Sequence, residues 1–175
     1  STKTGYYLRK YMNPSVSLDP DKPNKLEHHY ILFRYAEILL NYAEAMNEWK
    51  GPDAMAEGCP LTAREALNQV RNSADMKAVT ATGTEFTEKV RNERRIELAF
   101  EGHRFWDVRR WKEADTYFKS IDEMKITKNS DGSFKYTRNT VSRQWDDKMY
   151  LFPYPQNEVY MNPNLTQNPG WVGDK

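Results

Sequence analysis

The sequence predicts a mainly α-helical fold: tetratricopeptide-like helical hairpins, a small β-hairpin, and an extended, Pro-rich C-terminal tail. Three observations carry that prediction. Apolar residues recur at helical spacing through residues 34–49 and stop at Gly51-Pro52. Thr62-Ala63-Arg64-Glu65 then has the form of a capping box. In such a box the threonine hydroxyl accepts from the Glu65 amide and the Glu65 carboxylate reaches back to the cap amide. Between Lys125 and Thr137 the pattern changes to Ile-Thr-Lys, Asn-Ser-Asp-Gly and Phe-Lys-Tyr, the signal of two strands joined by a tight turn.

Taken in order, Tyr6 to Tyr11 is β-prone and Asn13-Pro14 closes it, while Ser15 to Lys25, rich in Pro and Asp, reads as a surface loop. Tyr30-Ile31-Leu32-Phe33 is a short extended run leading into the first helix, about Arg34 to Trp49. At about 100° per residue, Tyr35, Ile38, Leu39, Tyr42, Met46 and Trp49 share one arc, with Glu37, Asn41, Glu44 and Glu48 opposite. That wheel makes the helix the central packing element and expects Ile38, Leu39 and Tyr42 to be buried. Its polar face is acidic, unlike the basic face of a membrane-surface or calmodulin-binding helix. The second helix places Ala63, Ala66, Leu67, Val70 and Ala74 on a narrow buried stripe, and the two helices form a hairpin with alanines at its seam. A third helix runs from about Glu85 to Glu101, with Gly102 as its left-handed cap. A fourth runs from Arg104 to about Lys112 and carries Phe105, Trp106, Val108 and Trp111. From Leu151 onward, Pro153, Pro155, Pro163 and Pro169 impose the extended tail.

The 175 residues suit a single domain, 1–175. Lysines and arginines number 26 against 25 acids, a formal charge of +1, which is too balanced for a nucleic-acid surface. No apolar stretch approaches the length of a transmembrane helix. The chain opens at Ser1 with no signal-peptide pattern, which reads as a mature or trimmed segment. Cys59 is the sole cysteine, so neither an intrachain disulfide nor a multi-thiolate metal site is available, and its Gly-Cys-Pro context reads as a structural thiol in a loop. Aromatic residues make up 13% of the chain, with 11 tyrosines and 5 tryptophans. Such rings suit sugar stacking and ordinary cores alike.

The densest charge constellation is Arg91-Asn92-Glu93-Arg94-Arg95-Ile96-Glu97, followed by Glu101. As a glycosidase pair, Glu93 and Glu97 fail on geometry. Such carboxyls face each other across a cleft, about 5 Å or about 6.5–9.5 Å apart, whereas i,i+4 residues lie side by side. Nearby arginines also hold them ionised, where a general acid needs a raised pKa. The helical phase instead places both with Phe86, Val90 and Phe100, facing inward, where a bare carboxylate cannot persist. They are read as a structural ion network, with Arg71 and Arg104 as first partners and Arg34 and Arg109 behind them. His28 and His29 are adjacent, point to opposite faces of an extended segment, and cannot share a metal; His103 stands alone. The sequence thus supplies no catalytic residue, no metal site and no cofactor motif. Tyr136 and Trp145, aromatics in variable-looking segments, are the ligand-contact candidates, against a simpler reading as packing beneath the hairpin.

Several stretches together resemble the SusD/RagB family of Bacteroidetes outer-membrane lipoproteins. They are Arg34-Tyr35-Ala36-Glu37-Ile38-Leu39-Leu40 with Tyr42-Ala43-Glu44-Ala45; Leu67-Asn68-Gln69-Val70-Arg71-Asn72; Glu93-Arg94-Arg95-Ile96-Glu97 through Phe105-Trp106-Asp107 with Arg110-Trp111; and Leu151-Phe152-Pro153-Tyr154-Pro155 with Gln167-Asn168-Pro169-Gly170-Trp171. They occur in order and span almost all of the chain after about residue 30. One departure is Asn72-Ser73-Ala74-Asp75, where the family often has a second arginine and a glycine, and it bears only on the end of the second helix.

The resemblance implies a non-catalytic protein that captures glycan, or in some members peptide, at the cell surface and serves a TonB-dependent transporter of the SusC type as its lid. It implies an outer-membrane lipoprotein whose only membrane contact is a lipid anchor on an N-terminal part, and it makes this chain the C-terminal portion, with the N-terminal helical repeats absent. A purely structural, transporter-contacting role is the alternative. The family's motif segments are mainly architectural, so no ligand residue is carried over from them.

Overall fold

The computed structural model describes residues 2, 4–17, 19–24, 27, 29 and 31–171. Lys25, His28 and Tyr30, named above for the loop, the histidine pair and the extended run, lie outside them. The fold is mainly helical: α1 (Tyr35–Lys50), α2 (Ala63–Asn72), α3 (Gly83–Glu97), α4 (His103–Arg110), α5 (Ala114–Tyr117), β1 (Ser120–Lys128), β2 (Phe134–Ser142) and α6 (Gln156–Met161), with a 3-10 turn at Asp147–Tyr150. Two compact units emerge, one of Asn13–Phe105 and one joining Ser1–Met12 to Trp106–Lys175.

In the first unit α1 packs against α2 and α3. Its core draws Leu39, Leu40, Ala43 and Met46 from α1; Ala63, Ala66, Leu67 and Val70 from α2; and Phe86 and Val90 from α3, with Val79 and Leu98 completing it. The α1 face is therefore rotated from the one the wheel selected. Leu39 is buried as expected, but Ile38 is 52% exposed, and Tyr35 and Trp49 also face water. Tyr42 is half-buried and its hydroxyl donates to the Leu61 carbonyl at 2.5 Å. The cause lies on the neighbouring helix. Arg94 of α3 is buried, donates through Nη1 to Asn41 Oδ1 at 2.6 Å and lies 3.5 Å from Glu44, drawing part of the polar arc inward. A wheel that weighs hydrophobicity alone does not register that cation.

The α2 capping box is present in full: Glu65 N donates to Thr62 Oγ1 at 3.1 Å and Thr62 N to Glu65 Oε2 at 2.7 Å. Helix α2 ends at Asn72, and Asp75 turns with φ 53, which leaves Ala74 exposed rather than on the buried stripe. Helix α3 stops at Glu97, four residues short of the expected end. Phe100 (φ 62) and Gly102 (φ 85) both adopt left-handed backbone there, so Phe100 swings into water instead of sharing the Phe86–Val90 face.

In the second unit β1 and β2 pair antiparallel, with Ser120 opposite Ser142 and Lys128 opposite Phe134. Asp131 Oδ1 accepts from Ser133 N at 2.9 Å, and Gly132 supplies the left-handed residue of the turn. Both strands extend well beyond the 125–137 window. Most of their side chains are exposed, so no apolar alternation marks their outer halves; the cross-strand bonds that Arg138 and Thr140 donate to Asp122 do. Residues 6–9 are not a strand. The segment meets β1 where Met124 N donates to Thr4 O at 2.7 Å, and turns at Gly5, where a Cβ would sit 1.9 Å from the Met124 carbonyl oxygen. The C-terminal tail is not wholly extended. Between Pro155 and Pro163 the proline-free run Gln156–Met161 forms α6, which buries Val159. Proline pre-sets the backbone at a helix start without needing an amide donor.

Candidate ligand-binding cavity

In the second unit α4 buries Val108 and Asp107, and the Asp107 carboxylate accepts from Arg110 Nε at 3.1 Å and Nη2 at 2.9 Å. The preceding position along the chain from Arg110, Arg109, enters an aromatic cage: its guanidinium carbon lies 5.2 Å from the Trp145 ring centroid, 5.6 Å from Phe118 and 5.7 Å from Phe152. A cation over ring faces is attracted by their quadrupoles. Burial pushes the Arg109 pKa below its usual value, yet a guanidinium titrates so far above neutrality that it stays charged.

Trp145 also packs on Phe118 (5.5 Å) and edge-on to Tyr150 (5.1 Å). Its Nε1 is buried, and among the described residues no hydrogen-bond partner reaches it. Tyr150 is fixed at its far end, where its oxygen accepts from Ala114 N at 3.0 Å. Trp106 meets Phe152 edge-to-face at 6.3 Å. The tail is clamped across the 3-10 turn by Trp171, whose indole N–H lies 3.0 Å from both the Lys148 and Leu151 carbonyls, while Lys148 Nζ sits 5.1 Å over its ring. Gly170 makes this approach possible, since a Cβ there would stand 2.8 Å from Lys148 Cβ at a φ of 82.

These elements wall an open cavity of about 1030 Å³, lined by Trp106, Arg109, Arg110, Lys148, Tyr150 and Leu151 among others. That is at the upper end of the roughly 300–1,000 Å³ usual for small-ligand sites, with room for more than one sugar ring. Chemically it offers ring faces and planar cationic donors side by side.

Of the two aromatics singled out from sequence, Trp145 stands directly behind this cavity, in contact with Arg109 and Tyr150 of its lining. Tyr136 lies opposite Ile126 in the hairpin, 63% exposed, and lines no part of the cavity. From sequence, Trp106 reads as an apolar residue of α4, and no pattern marks Lys148 or Tyr150. The available signal was the cluster of rings and cations in Phe105-Trp106 to Lys112 and Asp146 to Leu151, two stretches that sequence spacing alone does not bring together.

The acidic positions of α3 lie in the other unit. Arg71 Nη1 donates to Glu93 Oε2 at 2.5 Å and Arg71 Nε to the Lys77 carbonyl at 2.8 Å. Glu97 meets the guanidinium of Arg34, which reaches Glu97 Oε1 at 2.5 Å, the Glu97 carbonyl at 2.5 Å and Glu101 Oε2 at 2.7 Å. Arg34 thereby also satisfies a carbonyl in the last turn of α3. Burial opposes the charge on Arg34, but the hydrogen bonds it donates to Glu101 and then Glu97 outweigh that and raise its pKa. Arg104 is half-buried in the first turn of α4.

A model of the SusD family matches residues 1–171. SusD-like protein P38 of Formosa agariphila is 34% identical over 118 residues, covering 61% of this chain and 21% of that protein. SusD-like protein P25 of the same organism is 29% identical over 167 residues, covering 90% and 27% respectively. The crystal structure of a SusD-like protein from Bacteroides fragilis matches with a TM-score of 0.68 at 38% identity, over 81% of this chain and 26% of that one. The chain thus spans about a quarter of the length of these relatives. With the family model covering nearly its whole length and a related structure sharing its fold, this chain belongs to the SusD family.

Proposed function

We propose that this chain is part of a cell-surface protein that captures glycan without turning it over and delivers it to a TonB-dependent transporter of the SusC type. The family is one of non-catalytic, generally glycan-binding surface proteins of Bacteroidetes, and on this reading the protein sits at the outer membrane through a lipid anchor outside these residues. The observation that carries the reading is the cavity walled by Trp106, Tyr150 and the caged Arg109. Aromatic faces cover the C–H surfaces of a sugar ring while fixed polar donors meet its hydroxyls. Trp145 acts from behind, holding Tyr150 and Arg109 in place.

Incubation with labelled polysaccharides tests this. Retention of intact polymer is the expected result, and Trp106→Ala should weaken it. Cleavage would make the protein a hydrolase, and retention of peptides alone would make peptide its cargo. Retention of neither would leave the transporter-contacting scaffold.

A further inference from the structure

We infer that Gln167, Asn168 and Trp171 are positioning residues of the cavity: a strap near the end of the tail whose side chains hold the backbone of residues 148–154 in the arrangement that receives the ligand. The inference rests on the capture reading above for its ligand and concerns how that site keeps its shape. None of the three side chains lines the cavity, whereas Lys148, Tyr150 and Leu151 of the held segment do, with Pro169 and Gly170 of the strap.

After the 3-10 turn, residues 151–155 adopt neither helix nor strand. Pro153 and Pro155 carry no amide N–H, so a continuous ladder of backbone bonds cannot form along them. Side chains of the strap supply the partners instead. Gln167 bonds as a peptide group would: its Oε1 accepts from Tyr154 N at 2.8 Å and its Nε2 donates to the Tyr154 carbonyl at 3.0 Å. Asn168 Nδ2 donates to the Phe152 carbonyl at 2.6 Å, and the Trp171 indole N–H spans the Lys148 and Leu151 carbonyls. Between the last two, Pro169 and Gly170 (φ 82) occupy the middle of a turn that Trp171 N closes on the Asn168 carbonyl at 3.2 Å, the residue order of a type II turn. The bonds reach the ring wall through Phe152, which meets Trp106 edge-to-face and stands 5.7 Å from the Arg109 guanidinium. A wall held in its bound arrangement beforehand spares the ligand the ordering cost that a loose segment adds on binding.

The test compares the unaltered chain with Asn168→Asp and Trp171→Phe, measuring retention of the labelled polysaccharides and, without ligand, amide hydrogen exchange. Asn168→Asp keeps the side-chain shape but sets an oxygen that cannot donate against the Phe152 carbonyl, and Trp171→Phe keeps a ring while removing the indole N–H. Each should weaken retention of whichever polymer the unaltered chain holds by about three- to tenfold, the scale of one hydrogen bond. Exchange should quicken within residues 148–154 and stay as it was elsewhere in the second unit. A double-mutant cycle gives a readout that a purely structural role would not move: in a Phe152→Ala background, Asn168→Asp should cost little further affinity, because the ring it positions is gone. Gln167→Glu, which loses only the bond to the Tyr154 carbonyl, carries the comparison should circular dichroism show that either variant fails to fold. Unchanged retention in the variants overturns the positioning role while leaving capture in place. Exchange that rises throughout the second unit, or an Asn168→Asp loss that is the same with and without the Phe152 ring, makes the strap a support of the fold alone and overturns the role as well. Retention of no polymer by the unaltered chain overturns capture and this role with it.

Discussion

A carboxylate withdrawn from water needs a cation within hydrogen-bond reach, and α3 shows two degrees of that requirement. The Glu93 side chain is 8% exposed and meets Arg71, whereas Glu97 is 26% exposed and shares Arg34 with Glu101. Removing one member of a buried pair strands the other and costs about 3–5 kcal/mol. A pair nearer the surface contributes about 1 kcal/mol or less. Glu93→Gln should therefore be the more damaging change in urea unfolding, and Glu97→Gln milder because Arg34 keeps Glu101. Equal losses would show that exposure does not decide the value of these pairs. The two partners differ in how visible they are from sequence. Arg71 lies on a helix whose phase can be read, close to the Glu93 face. Arg34 is 63 residues from Glu97, on extended backbone before α1 where no periodicity points to its contacts.

At the scale of elements, α1 separates what hydrophobic spacing determines from what it leaves open. Helix limits near Arg34 and Gly51 follow from local chemistry, as does the Thr62 capping box, because stop signals and caps act over a few residues. Which arc faces inward is set by the neighbours: α2 and α3 approach over Leu40 and Ala43, and Arg94 brings Asn41 and Glu44 with them. Leu40→Ala should accordingly cost about 2–5 kcal/mol, as for a fully buried leucine, while Ile38→Ala stays within about 1 kcal/mol, as for a surface change. Denaturant unfolding of the two variants gives the comparison directly, and a larger loss for Ile38 would restore the arc that hydrophobicity alone selects. The hairpin tells the same story from the other side: its turn was legible in Asn-Ser-Asp-Gly, its full length was not, since ladder bonds between exposed strands leave little trace in composition.

For the whole molecule, the helical class and the family were legible because they rest on ordered motifs along the chain. The cavity was not, because Trp106 and Tyr150, which both line it, lie far apart along the chain and no local pattern joins them. Ile31, Leu32, Phe33, Tyr35, Ile38 and Trp49 are all more than half exposed in the folded state, so each adds less new apolar surface on unfolding than a buried side chain would. The heat capacity of unfolding tracks apolar area newly exposed, and for ordinary domains it amounts to about 12–15 cal/mol/K per residue. Scanning calorimetry of this chain should give a value below that range, and a value within it would mean that these side chains are covered in solution. A small heat capacity flattens the curve of stability against temperature, so warming or cooling by a few tens of degrees should alter its free energy of unfolding less than it would in a domain that hides its large apolar side chains.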